Sequence, residues 1–201
     1  MRQPKISRPV LFFLLLWMPW IASPEPGADE VYLLEDFEER GRWSLHGRGL
    51  KANDAHLDYA RMEITPATRG RYYLEVLAHR ESGIQILPRV PLRINGFVRQ
   101  ITLLVHGRGA NDELFLDLID RDNKRKREFL ARLNHRGWKL LELRPGAHIR
   151  QRSPHLSGEP SGLTIVGFYF QPATPLPARL LLDDLSVRVR PYFLQPELRL
   201  D

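Results

Sequence analysis

Hydrophobic and polar residues alternate along most of this chain with the period of two that belongs to strands. In Gln100–Val105, Ile101, Leu103 and Val105 share one face. In Glu113–Asp120, Leu114, Leu116 and Leu118 share one face while Phe115, Asp117 and Ile119 share the other. Between them Gly107–Asp112 is a turn cluster, and Arg121–Lys124 reads as a hairpin turn because Asp and Asn tolerate turn geometry. A strand follows through Phe129, Ala131 and Leu133, then a turn at Asn134–Gly137, then a strand at Trp138–Leu143 stopped by Pro145 and Gly146. Arg71–Leu77, Gly83–Leu87, Leu163–Gln171 and Leu180–Val189 complete the set.

Short strands with turns every 8–12 residues or so are the pattern of a β-sandwich or barrel. The 16 Pro punctuate the connections rather than the strands, and no amphipathic helix of any length is present in the pattern. The polar, Pro- and Ser-containing stretch His148–Gly162 is the longest predicted loop. Pro191 to Asp201 reads as an apolar but unpatterned tail. The chain has 201 residues, enough for one domain with a real core and too few for a two-domain enzyme.

The amino terminus breaks the alternation. Arg2, Lys5 and Arg8 precede a continuous apolar run from Val10 to Ala22. A basic segment followed by a short apolar one is a secretory signal, and the run is too short to span a bilayer comfortably. The organisation read from the sequence is therefore a signal peptide over 1–28, cut between 23 and 28, a β-sandwich over 29–190 and a tail over 191–201. No other stretch is apolar enough to cross a membrane, so the mature chain is expected to be soluble and exported.

Charge narrows the picture only slightly. No acid lies in the first 23 residues, so removing them takes Arg2, Lys5 and Arg8 from the 30 basic residues and leaves 27 against 24 acidic ones, a balance of +3. That is no nucleic-acid footprint. The chain has no Cys, which excludes disulfides, thiolate metal sites and a Cys nucleophile. No nucleophile elbow, HExxH or Gly-rich phosphate loop is present. The seven His show no metal-ligand spacing, and Asp117, Asp120 and Asp122 lack the Gly and closing Glu of a calcium loop. Asp183 and Asp184 are adjacent, so a regular strand would point them to opposite faces, with one of them fixing the sandwich edge. The sequence thus predicts no enzyme, no catalytic residue and no resident cofactor.

Two groups stand out as partner contacts. Lys124, Arg125, Lys126 and Arg127 form the densest basic cluster, read as a hairpin tip suited to an acidic protein or polymer. Tyr192 and Phe193 give the tail an aromatic contact. Among the other aromatics, Trp43, Trp138, Tyr169 and Tyr192 are candidates for a sugar-stacking platform or a protein hot spot, with Trp43 and Trp138 assigned first to the core. The sequence shows no clear outward aromatic stripe, which counts against a glycan platform.

Two segments resemble the jelly-roll modules of the galactose-binding and carbohydrate-binding type. One is Leu34-Glu-Asp-Phe-Glu38 with Trp43 close by, and the other is Leu181–Val187 with its Asp183-Asp184 pair. The resemblance implies a jelly-roll-like β-sandwich whose first and last strands lie together. It makes Glu38 and Asp184 candidate ligands for a structural calcium.

The middle of the chain, about Phe97 to Val189, resembles the flagellar filament outer layer (sheath) proteins of spirochaetes, the FlaA family. The segments that carry this are Ile101–Gly109, Leu114–Arg121, Gly137-Trp-Lys139, Pro145 and Leu163–Phe168. That resemblance implies a structural protein of the periplasm that coats the flagellin core of periplasmic flagella beside other sheath subunits. The alternative reading is a periplasmic or envelope carbohydrate-binding module.

Overall fold

The computed structural model describes residues 28–51, 53–61, 70–151 and 162–191. All of the expected signal peptide but Ala28, together with Tyr192, Phe193 and most of the His148–Gly162 loop, lies outside the described residues. Within them, no helix is long and apolar enough to cross a membrane.

Among the described residues twelve strands run in chain order: β1 Glu30–Glu35, β2 Trp43–His46, β3 Ala55–Arg61, β4 Tyr72–Ala78, β5 Ile84–Pro88, β6 Leu92–Arg93, β7 Phe97–Arg108, β8 Asp112–Ile119, β9 Arg125–Leu133, β10 Arg136–Leu143, β11 Thr164–Gln171 and β12 Ala178–Arg190. They form two antiparallel sheets. The first, sheet A, has the order β10-β7-β12-β4-β3, with β1 also on β12. The second, sheet B, has the order β2-β5-β11-β8-β9, with β6 on β11. The chain is an all-β sandwich of jelly-roll type, with β1 antiparallel to β12 from Glu30↔Val189 to Glu35↔Leu185. The first and last strands therefore lie together, as the jelly-roll resemblance implies.

The core is made by alternate residues of both sheets. Leu74, Val76, Ile101, Leu103, Val105, Leu180, Leu182 and Leu185 come from sheet A. Ile84, Ile86, Leu114, Leu116, Leu118, Ile165, Phe168 and Phe170 come from sheet B. Trp43 enters this core as expected, 3% exposed and stacked on Phe168 with ring centroids 5.6 Å apart.

Trp138 does not. Its register partner is His106, and the residues of β10 that reach the core are on the other parity, with Leu141 buried. Period two then puts Trp138 on the outer face of sheet A. There it meets the His106 ring edge-on at 5.4 Å and the Tyr73 ring at 5.7 Å.

Two further expectations are corrected. The basic run is not a hairpin tip: the turn closes between Asp120 and Lys124, with Asn123 at φ 57°, and Arg125 already begins β9. The Asp183-Asp184 pair does not fix a sandwich edge. It lies within the central strand of sheet A, in the gap between the pairing of β12 with β4, which ends at Leu182, and with β1, which begins at Leu185, and on the β7 side the register shifts between Asp183 and Ser186.

A core of this kind makes a direct prediction. Phe168 is fully buried, so Phe168→Ala costs about 3–5 kcal/mol in urea unfolding. Leu140, 51% exposed on the outer face of sheet A, changes by less than about 0.5 kcal/mol on truncation to Ala.

Candidate functional site

The residues of sheet B that alternate with the core line up across five of its six strands. His46 on β2 pairs with Gln85 on β5, and Gln85 with Tyr169 on β11. Tyr169 pairs with Phe115 on β8, and Phe115 with Phe129 on β9. One row therefore runs His46, Gln85, Tyr169, Phe115, Phe129 across a sheet face whose neighbouring strands are about 4.8 Å apart. The Phe115 ring meets Tyr169 at 5.9 Å and Phe129 at 5.4 Å, both edge-to-face. Phe129 is 52% exposed. An outward aromatic stripe is thus present, contrary to the sequence reading. Its members are spread over three strands, so no single stretch of sequence displays it.

Polar rows flank this stripe. On one side Gly167, Asp117 and Arg127 are register partners. On the other, Gln171, Glu113 and Arg132 are. Asp117 faces outward yet has no exposed surface, because two arginines cover it. Arg127 donates through Nε to Oδ1 at 2.7 Å and through Nη2 to Oδ2 at 3.0 Å. Arg125 donates through Nη2 to Oδ2 at 2.7 Å. Arg127 also lies over the Tyr169 ring, 3.8 Å from its centroid. Arg132 pairs with Glu113 at 2.8 Å.

Burial alone would push the Asp117 carboxyl up, but the hydrogen bonds and charges of Arg127 and Arg125 outweigh it and hold the carboxyl below the usual range. A carboxylate held ionised in this way is poorly suited to acid–base chemistry near neutral pH. Its effect is to fix two guanidinium groups.

Two glycines shape the face. Gly83 precedes β5, and a Cβ there would sit 1.7 Å from the Tyr169 hydroxyl, so the tyrosine lies across the glycine. That hydroxyl donates to Gln171 Oε1 at 3.2 Å, and Gln171 Nε2 in turn bonds the Glu81 carbonyl. Gly167, at φ 148° in the β11 bulge, has the Ile86 carbonyl 2.4 Å from where a Cβ would be.

The sequence-predicted contacts fall in two places. Arg125 and Arg127 belong to this face. Lys124 is exposed at the turn, and Lys126 is half-buried with the opposite parity. Phe115 and Asp117 were legible as one face of β8, but Phe129, Gln85 and Arg132 were missed. The alternation of Arg125, Arg127 and Phe129 was the signal available for β9.

The calcium candidates lie elsewhere. Glu38 Oε1 accepts the Arg71 and Tyr72 backbone N–H groups at 2.5 and 2.9 Å, so Glu38 anchors the backbone there. Among the described residues, no group of three His, Asp or Glu is arranged to hold a metal ion. Asp183 nearby has no exposed surface. Its Oδ1 accepts the Asp184 N–H at 2.9 Å, and Oδ2 has no hydrogen-bond partner among the described residues. Burial first, then the charges of Asp184, Glu38 and Asp36, push its carboxyl up to about 7.

No protein-family model matches the chain, and no curated protein does. Solved structures with a similar fold include three carbohydrate-binding modules. The family 11 module from Clostridium thermocellum, in complex with a β-1,3-1,4-mixed-linked tetrasaccharide, is 15% identical over 81% of this chain and 98% of that one, with a TM-score of 0.48. A family 61 module in complex with β-1,4-galactotriose is 13% identical over 75% and 89%, with a TM-score of 0.47. The xylan-binding CBM22-1 domain from Paenibacillus barcinonensis is 14% identical over 84% and 99%, with a TM-score of 0.46. Similarity at this level carries no functional argument; the architecture stands on the strand pairing itself.

The raised Asp183 carboxyl has a measurable consequence. Its folded pKa lies above the unfolded value of 3.8, so its stability contribution is complete below 3.8 and is lost as pH rises to about 7. Asp183→Asn keeps an oxygen for the Asp184 N–H and cannot ionise. The variant therefore melts at a higher temperature relative to the native chain at pH 8 than at pH 4. An equal difference at both pH values would clear the carboxyl of responsibility.

Proposed function

We propose that the protein is a non-catalytic carbohydrate-binding module that holds a glycan across the outer face of sheet B. The observation that carries this reading is the cross-strand row of Phe129, Phe115 and Tyr169 flanked by Gln85, Gln171, Arg125, Arg127 and Arg132. A pyranose ring offers an apolar C–H face and a rim of hydroxyls. A half-exposed aromatic row answers the first, and fixed amide, carboxylate and guanidinium groups answer the second. The polar groups are fixed in advance: Asp117 holds the two arginines, and Tyr169 and Gln171 hold each other. Little side-chain entropy is then lost on binding.

A second reading follows from the resemblance to flagellar sheath proteins. Coating a flagellin core requires a surface for repeated protein contacts. The outer face of sheet A supports it with apolar residues: Val31 is 63% exposed, Leu33 38% and Leu140 51%, and Trp138 shares that face. On this reading the protein is periplasmic and co-purifies with periplasmic flagella in stoichiometric amount; absence from purified filaments overturns it.

The glycan reading is tested by affinity electrophoresis in a panel of soluble polysaccharides. At least one polymer retards the protein, and Phe129→Ala or Tyr169→Ala weakens that binding about tenfold, the equivalent of about 1.4 kcal/mol. Gly83→Ala, which displaces the Tyr169 hydroxyl, weakens it too. Leu140→Ala on the opposite sheet does not. Full retention of binding in the Phe129 and Tyr169 variants would move the site elsewhere.

A further inference from the structure

The same face carries more positive charge than a neutral glycan needs, and its disposition selects a ligand. We infer that the sheet B face is built for a carboxylated polysaccharide, one that contains uronate residues; this rests on the glycan-binding reading above.

Three guanidinium groups, of Arg125, Arg127 and Arg132, face two carboxylates, of Asp117 and Glu113. Glu113 and Arg132 balance each other, so the surplus sits at Asp117, where one buried carboxylate serves two arginines. Arg125 contributes only Nη2 to that carboxylate, and its side chain is 51% exposed. Asp117 therefore does not neutralise the pair. It orients the pair and leaves a positive charge in a fixed place at the surface.

The aromatic row points the same way. Arg127 covers the Tyr169 ring, so that end of the row presents a cation over a ring and not a bare stacking surface. The open ring is Phe129, 52% exposed. Phe129 and Arg127 are two residues apart on β9 and share a face. A sugar stacked on Phe129 puts its neighbour, or its own ring substituent, beside Arg127 and Arg125. A planar carboxylate at that substituent matches the guanidinium fork, and the arginines are already ordered to receive it. A hydroxymethyl group there would leave the surplus charge unanswered.

Adjacent charges do not cancel this. Arg150 pairs with Asp122 at the β8–β9 turn, and Glu128 lies on the other parity of β9, hydrogen-bonded to His148 at 2.8 Å. Lys124 adds a further exposed cation next to Arg125.

The experiment compares one sugar backbone in two charge states. Isothermal titration and affinity electrophoresis of the purified protein are run with polygalacturonate, with its fully methyl-esterified form and with dextran sulfate, beside a panel of neutral glucans and xylans. Polygalacturonate binds at least tenfold more tightly than its methyl ester and more tightly than dextran sulfate. Arg125→Gln abolishes the preference for the free acid, while circular dichroism shows the fold retained, since Arg127 still holds Asp117 through two bonds. Equal affinity for acid and ester, or equal affinity for polygalacturonate and dextran sulfate, overturns the inference and leaves the glycan reading standing. Binding to neutral polymers alone does the same. Failure to bind any polymer in the panel overturns the glycan reading itself.

Discussion

Burial of alternate residues is the constraint from which everything on the two outer faces follows. Leu114, Leu116 and Leu118 are fully buried, so Glu113, Phe115 and Asp117 must face out of the sandwich. The same holds on β11, where burial of Phe168 and Phe170 turns Tyr169 outward. A slip of one residue would expose Leu114, Leu116 and Leu118 on β8, or Phe168 and Phe170 on β11, and turn Glu113 or Tyr169 into the core. The candidate site is thus not an addition to the core. It is the opposite side of the same alternation, and it is as well fixed as the core is.

Two buried aspartates show how environment decides the chemistry of one residue type. Asp117 and Asp183 both lie without exposed surface on strands that are paired on both sides. Two arginines surround the first and hold it ionised. The second is surrounded by Asp184, Glu38 and Asp36, and its carboxyl rises to about 7. One carboxylate therefore organises a cationic surface. The other is a local cost at neutral pH, set where β12 bulges and Asp184 adopts a positive φ of 43°.

Much of the fold was legible because its signal is local. Alternation in Gln100–Val105 and Glu113–Asp120 marked β7 and β8, the β-prone run Leu163–Gln171 marked β11, and turn residues such as Gly107, Gly109, Asp122 and Asn123 marked the connections. Short strands such as β2 and β6, with four and two residues, carry too little pattern to be seen alone. The candidate site was legible only in halves. Phe115 and Asp117 were visible as one face of β8, but their neighbours Phe129, Tyr169 and Gln85 lie on other strands. Register, a tertiary quantity, joins them. Trp138 misled because its strand is apolar on both parities, with Trp138 and Leu140 on one and Leu141 and Leu143 on the other, and only the packing of Leu141 into the core decides between them.

Strand β12 is last in chain order yet central in sheet A, bonded to β7 along one side and to β4 and β1 along the other. Until it is available, β7–β10 and β3–β4 are two unconnected antiparallel pairs, and β1 has no partner in the sheet. Sheet A therefore closes only after β12 has been made, through pairings that join residues over 150 positions apart. A chain with this order folds late and slowly compared with one built from local hairpins. During synthesis β1 and the edges of β4 and β7 that β12 will cover stay open, the condition in which a polypeptide can still be threaded through a narrow passage or bound by a chaperone.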